Sequence, residues 1–459
     1  MNLFGKETIF NLYNKNDKMS RYFSPQIDLF IVLSVFILLI AHVISNYVIV
    51  NSIFKPGDTD NKNKKTEIFL SLRYEEIFGK ELTETLLREF EDNNPDLKLI
   101  LLNNSDERTP DILIFDESDL SSLVSAGALV SLEPYFYQER NLHNFAANQR
   151  FESPDEINKT GMDLYTVPLV SFMDLLFYNI DLLKAAGFDR PPKTREEYLA
   201  YTKAVSERKT AGAVLSLSIH DRQAVTRDIF SWIWASGGDF WRNDNSSQNA
   251  HRPFINSRSI IRDISFLGRL YGIETFASVS YSLTGEQRME EFAQGKIALM
   301  IASTRVIPHL RQKMGDHAFG ITTIPDSGSA EKYNLGLSSF HAGISANCAY
   351  TDAAWSFLSF LAEQIPLLCA KLNAVPGIVS GFFSGGFYYM EDDPFYSKAR
   401  DIFESSEIVQ GFSKTARAGE FERIVLEEMR EFFESSRTAE QTAAAIQRRW
   451  DEIPMTVYR

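Results

Sequence analysis

The residues able to do chemistry in this 459-residue chain are spaced in ways that exclude most reactions. Its seven histidines (His42, His143, His220, His251, His309, His317 and His341) show no metal-ligand spacing and read as surface or packing residues. The two cysteines, Cys348 and Cys369, form neither a C-x-x-C nor a Cys/His set, so zinc is not indicated. They read as two buried thiols behaving as small apolar groups, or as one disulfide in an exported protein. The chain has no G-x-x-x-x-G-K-S/T phosphate loop, no dinucleotide G-x-G-x-x-G, no G-x-S-x-G elbow, no H-E-x-x-H and no EF-hand loop. Acidic pairs such as Glu391 with Asp393 are of the type used in glycoside hydrolysis, but a chain with 61 Asp and Glu produces such pairs by composition alone. The residues therefore point to a protein without metal or cofactor that is not an enzyme.

Composition narrows the partners. With 44% hydrophobic and 24% charged residues the chain is globular, and its length predicts two or three domain-sized units. A formal charge of −14 disfavours binding to a phosphate backbone, so nucleic acid is not expected as a partner.

Residues 29–50 (LFIVLSVFILLIAHVISNYVIV) lack Asp, Glu, Lys and Arg. About 22 residues at ~1.5 Å rise span about 33 Å, enough for the hydrocarbon core of a bilayer. The small residues that signal cleavage requires are missing around Val43 to Ser45, so the segment reads as an uncleaved transmembrane anchor after a 28-residue N-terminal segment. Lys6, Lys15, Lys18 and Arg21 before it are balanced by Lys55, Lys62, Lys64 and Lys65 after it, so charge does not set its orientation. His42 and Asn46 lie in its second half, towards the interface. Residues 51–65, with PGDTDNKNKK at their end, are polar and turn-forming and read as a flexible linker.

Beyond the linker the pattern alternates. Glu67 to Leu72 is strand-like, Glu81 to Phe90 helical with Leu82, Leu86, Leu87 and Phe90 on one face, and Leu97 to Leu102 strand-like. Asp111 to Phe115 continues the series, which implies a mostly parallel sheet with covered faces. Further helices are expected over 195–209, 225–234, 262–272, 285–294 and 420–434. The stretch from Tyr165 to Tyr198 places strand segments at Tyr165 to Val170 and Leu175 to Tyr178, then a helix capped by Asn179 and ended at Gly187. Pro191 and Pro192 interrupt, and Thr194 with Glu197 predicts a capping box that restarts a helix.

The wording of that stretch, YTVPLVSFMDLLFYNIDLLKAAGFDRPPKTREEY, resembles the family 1 extracellular solute-binding proteins, the sugar and oligosaccharide receptors of ABC importers. TPDILIF at 109–115, SAGALVSLEPY at 125–135, SGGDFW at 236–241, EFAQGKIALM at 291–300, FGITTIP at 319–325 and DAAWSFLSFL at 352–361 fall in the same order as that family's landmarks. The resemblance runs from about residue 66 to the end. It implies an α/β fold of two lobes, like the periplasmic binding proteins, with a hinge and one N-terminal transmembrane helix before it. Residues 66–170 with 320–363 would form one lobe and 171–319 with 364–459 the other, joined near Ser171, Phe319 to Pro325 and Gln364. Ligand would sit between the lobes, and closure would follow from contacts made to both at once.

Resemblance also places four loops at that cleft: 73–76, 115–119, 227–234 and 303–306. From these the expected ligand-binding residues are Arg73, Tyr74, Asp116, Asp119, Trp232 and Arg305. A sugar needs aromatic faces and hydrogen-bonding side chains. Phe115, Phe172, Trp232 and Trp234 have two readings, as such faces or as core aromatics. Asp116 and Asp119 double as candidate helix N-caps, and Arg73 and Arg305 as surface charges. Arg305 stands where family members often carry an aromatic, which would suit an anionic ligand. Arg195 stands where they often carry Trp after P-K-T, a change read as structural. The implied partners are a carbohydrate-like small molecule, the permease subunits of an ABC importer and the membrane, with the large domain extracytoplasmic. The alternative is an anchored sensing or protein-interaction domain acting in signalling without transport; the absence of a cysteine near the anchor, hence of a lipid attachment, leans towards it.

Overall fold

The computed structural model describes residues 65–71, 73–103, 106–138, 151–152, 162–221, 223–240, 253–273, 283–328, 333–377, 393–409, 412 and 417–454. The expected anchor and linker lie outside the described residues. Among the described residues no single helix is long and apolar enough to cross a membrane.

Thirteen short strands are named here in chain order: β1 (Thr66–Leu70), β2 (Leu97–Leu101), β3 (Ile112–Asp116), β4 (Phe151–Glu152), β5 (Met162–Asp163), β6 (Val167–Asn179), β7 (Ala211–Ala213), β8 (Ile297–Ser303), β9 (Phe319–Thr322), β10 (Tyr333–Leu335), β11 (Leu337–Ile344), β12 (Val375–Pro376) and β13 (Ser406–Ile408). The principal sheet runs β2-β1-β3-β11-β6-β8-β7, with β9 and β12 also paired to β6. Its parallel pairs are at the two ends, β1 with β2 and β3, and β7 with β8, whereas β11 and β6 pair antiparallel at the centre. The expected mostly parallel sheet is therefore a mixed one. The parallel ends are the βαβ units legible in the pattern; the antiparallel centre is built by strands distant in sequence.

β6 belongs to both halves of the molecule. The two strand segments expected around 165–178 are one 13-residue strand, apolar except at Ser171, Asp174, Tyr178 and Asn179 and buried over nearly its whole length. Its first part pairs with β11 and β12, its last part with β8 and β9. Leu169, Val170 and Phe172 enter a first core with Ile68, Leu70, Ile112, Phe340 and Phe357. Leu176 enters a second core, rich in aromatics, with Phe230, Trp232, Phe266, Phe412 and Trp450. On the opposite face Phe177 stacks on Phe319, which stacks on Phe395. Two lobes result, and the chain crosses between them inside β6.

The other crossings differ from expectation. β9 pairs with the second-lobe end of β6, and β10 pairs with β13, so 319–335 stays in the second lobe and the crossing falls at Gly336. A Cβ on Gly336 would lie 2.7 Å from the Trp234 ring, so this bend takes no side chain without displacing the indole. The third crossing does not occur at Gln364: the helix Ile365–Leu372 buries Ile365, Leu368 and Cys369 in the first-lobe core, and β12 pairs with β6 after it. The apolar faces of these elements decide their lobe more strongly than the break at Gln364 suggested.

Local signals were mostly obeyed. Asn179 accepts the Leu182 N–H at 2.9 Å, Gly187 takes the left-handed conformation, and Thr194 accepts the Glu197 N–H at 3.2 Å. The expected capping box does not close, because the Glu197 carboxylate instead receives Arg190 and the Lys193 N–H. Helices span Lys80–Asn93, Arg195–Ser206, Arg258–Tyr271, Gly285–Ala293 and Ala418–Glu434. Cys348 and Cys369 are both free, and both belong to the first-lobe core. Burial pushes their thiols up, to about 11 and about 12.

Candidate functional site

Two loops of the first lobe and three elements of the second converge where the lobes meet. β3 ends at Asp116, whose carboxylate caps the helix Glu117–Ser125 by accepting the Ser118 N–H at 3.0 Å. Its other oxygen accepts from the Gln223 side-chain amide at 2.8 Å. This bond joins the lobes, since Asp116 belongs to the first and Gln223 leads into the second-lobe helix. The cap and the trans-lobe contact use different oxygens of one carboxylate, so the two roles weighed for Asp116 coexist.

Arg73 opens the short helix Arg73–Phe78 and places its guanidinium 3.7 Å from the carboxylate of Asp119, in the first turn of the helix Glu117–Ser125. The arginine side chain is 47% exposed, so the pair contributes little to stability and leaves Arg73 available to other acceptors. Arg305 sits on the 3₁₀ turn Thr304–Val306 after β8, its guanidinium 4.9 Å above the Phe340 ring of β11. Burial lowers its pKa, while Asp116 opposes that shift and Arg73 adds to it, which puts Arg305, Asp116 and Arg73 within electrostatic reach of one another. The fold thus brings Arg73, Asp116, Asp119 and Arg305 together.

Trp232 is not with them. Its indole has no exposed surface and packs edge-on against Tyr198 and tilted against Phe266, inside the second-lobe core. The expectation that it touches ligand is corrected: on the helix Ser231–Ala235 its position points into the lobe. Phe115, Phe172 and Trp234 are buried as well. Tyr74 lies on the Arg73–Phe78 helix, and its side chain is outside the described residues.

The arginine that replaces the family's Trp is also internal. Arg195 is 3% exposed and donates to Asp263 at 2.5 Å, to the Trp232 carbonyl at 2.6 Å and to the Ser236 hydroxyl at 2.5 Å. Its guanidinium lies 4.7 Å from the centre of the Phe266 ring. This ties three second-lobe segments together beneath the site, as a structural reading requires.

Residues beyond the six expected site residues, some of them in the expected loop 227–234, complete the floor. Residues 226–230 form a π-helical turn, a wider coil that re-aims the side chains on either side of it. Arg227 donates to Asp221 at 2.6 Å and to Asp228 at 3.0 Å; Asp228 also receives Arg288, which in turn donates to the carbonyls of Val214 and Ile301. Burial pushes the Asp221 carboxyl up, but Arg227, the Gly285 N–H and Ser216 together hold it below the usual carboxylate range. Asp174, on the shared strand β6, is buried, and burial raises its carboxyl to about 7 against the attraction of Arg227. Glu422, on the helix Ala418–Glu434, takes a long hydrogen bond of 3.4 Å from the Thr226 hydroxyl. Gln223, Thr226 and Arg227 stand three and four residues apart, a helical spacing that could have flagged one polar face.

The arrangement can hold a small molecule by hydrogen bonds from both lobes. It offers carboxylates and amides as acceptors and donors, with guanidiniums at Arg73 and Arg305. Asp116, Asp119 and Glu76 lie about those two cations, so a bound molecule would meet carboxylates as well as guanidiniums. Among the described residues no group of three or more His, Cys, Asp and Glu is placed to hold a metal ion.

A sheet strand shared by two lobes, with polar groups facing across their junction, defines a two-lobed solute receptor. The model of the bacterial extracellular solute-binding proteins matches residues 79–364. The chain belongs to that family, whose members bind solutes and are not enzymes. Among solved structures it is similar to a maltose-bound MalE3 of T. maritima, at 16% identity and a TM-score of 0.64 over 85% of this chain and 100% of that one. It is similar also to a cyclic alpha-maltosyl-1,6-maltose binding protein from Arthrobacter globiformis, at 16% identity and a TM-score of 0.64 over 84% and 98%. At these identities the likeness concerns the fold. Binding proteins of Brucella abortus and Brucella suis are 22% identical over 206 residues, 44% of this chain; the chain spans about half the length of these curated relatives.

Proposed function

We propose that this chain is an extracytoplasmic receptor, anchored by residues 29–50, that closes its lobes on a neutral, hydroxyl-rich small molecule of the sugar type and passes it to an ABC import permease. The observation that carries this reading is the hydrogen bond from Gln223 to Asp116 across the lobe junction, in the midst of Arg73, Asp119 and Arg305. Sugar hydroxyls would donate to Asp116, Asp119 and Glu422 and accept from Arg73, Arg305 and Gln223, so one ligand would satisfy groups of both lobes. Tyr74, on the helix that carries Arg73, belongs to the proposed site as a ring to stack on the sugar.

A thermal-shift screen of the full-length protein in detergent tests this, using neutral sugars, acidic sugars, sugar phosphates and polyols. A ligand at about 100 times its dissociation constant stabilises by about 2.7 kcal/mol. A rise with neutral sugars or polyols that is weakened by Asp116→Ala supports the reading. A rise confined to acidic or phosphorylated compounds overturns the ligand class. No rise with any of the four, from folded protein, moves the reading to a signalling or protein-partner role.

A further inference from the structure

Asp174 stands where the cores of the two lobes part along their shared strand. Side chains alternate on a strand, so Phe172, Asp174 and Leu176 of β6 lie on one face and Met173, Leu175 and Phe177 on the other. The latter three enter a single core, but Phe172 belongs to the first-lobe core and Leu176 to the second-lobe core, which leaves Asp174 at the gap between them. Its neighbours in the sheet place that gap at the lobe junction. Ser338 of β11 pairs with Phe172 and shares its face, and the Gln223 amide that reaches Asp116 also lies 3.4 Å from the Ser338 hydroxyl. Ser303 of β8 pairs with Asp174 and leads into the turn that carries Arg305. On the other edge the neighbour is Gly336, whose carbonyl accepts the Asp174 N–H at 3.4 Å and which has no side chain to offer.

A carboxylate in this position needs donors. Asp174 is 6% exposed, and among the described residues no hydrogen bond reaches its side-chain oxygens. The charged groups about it are committed to others. Arg227 donates to Asp221 and Asp228, and Arg288 donates to Asp228 and to the Val214 and Ile301 carbonyls. Asp116 at the end of β3 and Tyr333 of β10 complete the titratable groups within its electrostatic reach, and the Tyr333 oxygen accepts the Ile324 N–H. Two arginines bonded to two aspartates balance in charge, so Asp174 is a surplus acid, and burial accordingly raises its carboxyl to about 7. A buried carboxyl without donors costs stability, and such a breach of local rules is expected where a ligand compensates it.

We propose that Asp174 is the residue at the bottom of the ligand site and that it accepts a hydroxyl hydrogen of the bound sugar. The inference rests on the receptor reading above and adds a recognition residue that none of the four expected loops contains.

The test uses the full-length protein in detergent at pH 8, where the carboxyl is mostly ionised. The neutral sugar or polyol that raises the melting temperature most is titrated by calorimetry, together with its single-deoxy analogues. Asp174→Ala should weaken the parent compound about ten-fold or more. One deoxy analogue should lose as much against wild type and nothing further against Asp174→Ala, because both changes remove the same bond. Without ligand, Asp174→Asn should unfold in urea at the same or a higher midpoint, whereas a carboxylate kept for structure would lower it. A lowered midpoint in Asp174→Asn, an affinity within two-fold of wild type in Asp174→Ala, or losses that add for every deoxy analogue overturns the assignment of Asp174 alone. No rise in melting temperature with any neutral sugar or polyol overturns the receptor reading beneath it.

Discussion

Asp263→Ala gives the most direct measure of what holds the second lobe in shape. Asp263 and Arg195 are almost fully buried, with side-chain exposures of 2% and 4%, and their charged atoms lie 2.5 Å apart. Two unit charges about 4 Å apart attract by about 4 kcal/mol at an effective dielectric near 20, and breaking a buried pair by removing one member costs about 3–5 kcal/mol. Arg195 would keep its bonds to the Trp232 carbonyl and Ser236, but its charge would be left unopposed inside an aromatic core. The expected loss is therefore about 3–5 kcal/mol in urea unfolding at pH 7, followed by tryptophan fluorescence. The double variant Arg195→Met/Asp263→Leu removes both charges and should lose only about 1–3 kcal/mol, the cost of leaving the Trp232 carbonyl and Ser236 short of a donor. A loss under about 1 kcal/mol for Asp263→Ala, or a double variant as unstable as the sum of the singles, refutes the account of this pair as a charge balance.

Trp232→Phe should lower stability by about 1–2 kcal/mol and leave the dissociation constant of any ligand found in the screen within two-fold, as calorimetric titration would show. Gln223→Ala removes the trans-lobe hydrogen bond, worth about 0.5–1.5 kcal/mol, and should weaken ligand binding about two- to twelve-fold with little change in unfolding midpoint. Gly336→Ala drives a methyl against the Trp234 ring and should cost about 1–3 kcal/mol, read from the same urea curves. Cys348 and Cys369, with thiols raised to about 11 and about 12, should resist maleimide at pH 7.5 in the native protein and both react in urea, counted by mass spectrometry.

Where the chain speaks locally, the sequence was legible. The helix at Lys80–Asn93, the Asn179 cap and the left-handed Gly187 follow from patterns a few residues long. The lobes' boundaries were not, because the assignment of 320–335 and 364–377 depends on which distant strand each segment meets. Asp116, Asp119, Arg73 and Arg305 became candidates through loops that the resemblance set at the cleft, and the fold brings these four near one another. Trp232 could not be placed, since an aromatic on a short helix faces core or cleft according to a rotation that a π-helical turn alters. Gln223 and Glu422, 199 positions apart in sequence by their numbers, meet the same first-lobe helix only through folding.

The place of β11 sets the order in which this molecule can be made. It lies between β3 and β6, so both strands have a bare edge until residues 337–344 have been synthesised and have threaded between them. A nascent chain cannot complete its first lobe and then its second; both stay unfinished until late. Such non-local pairing folds slowly and exposes unpaired edges meanwhile. By the same logic, a chain truncated before residue 337 should aggregate rather than yield a working half.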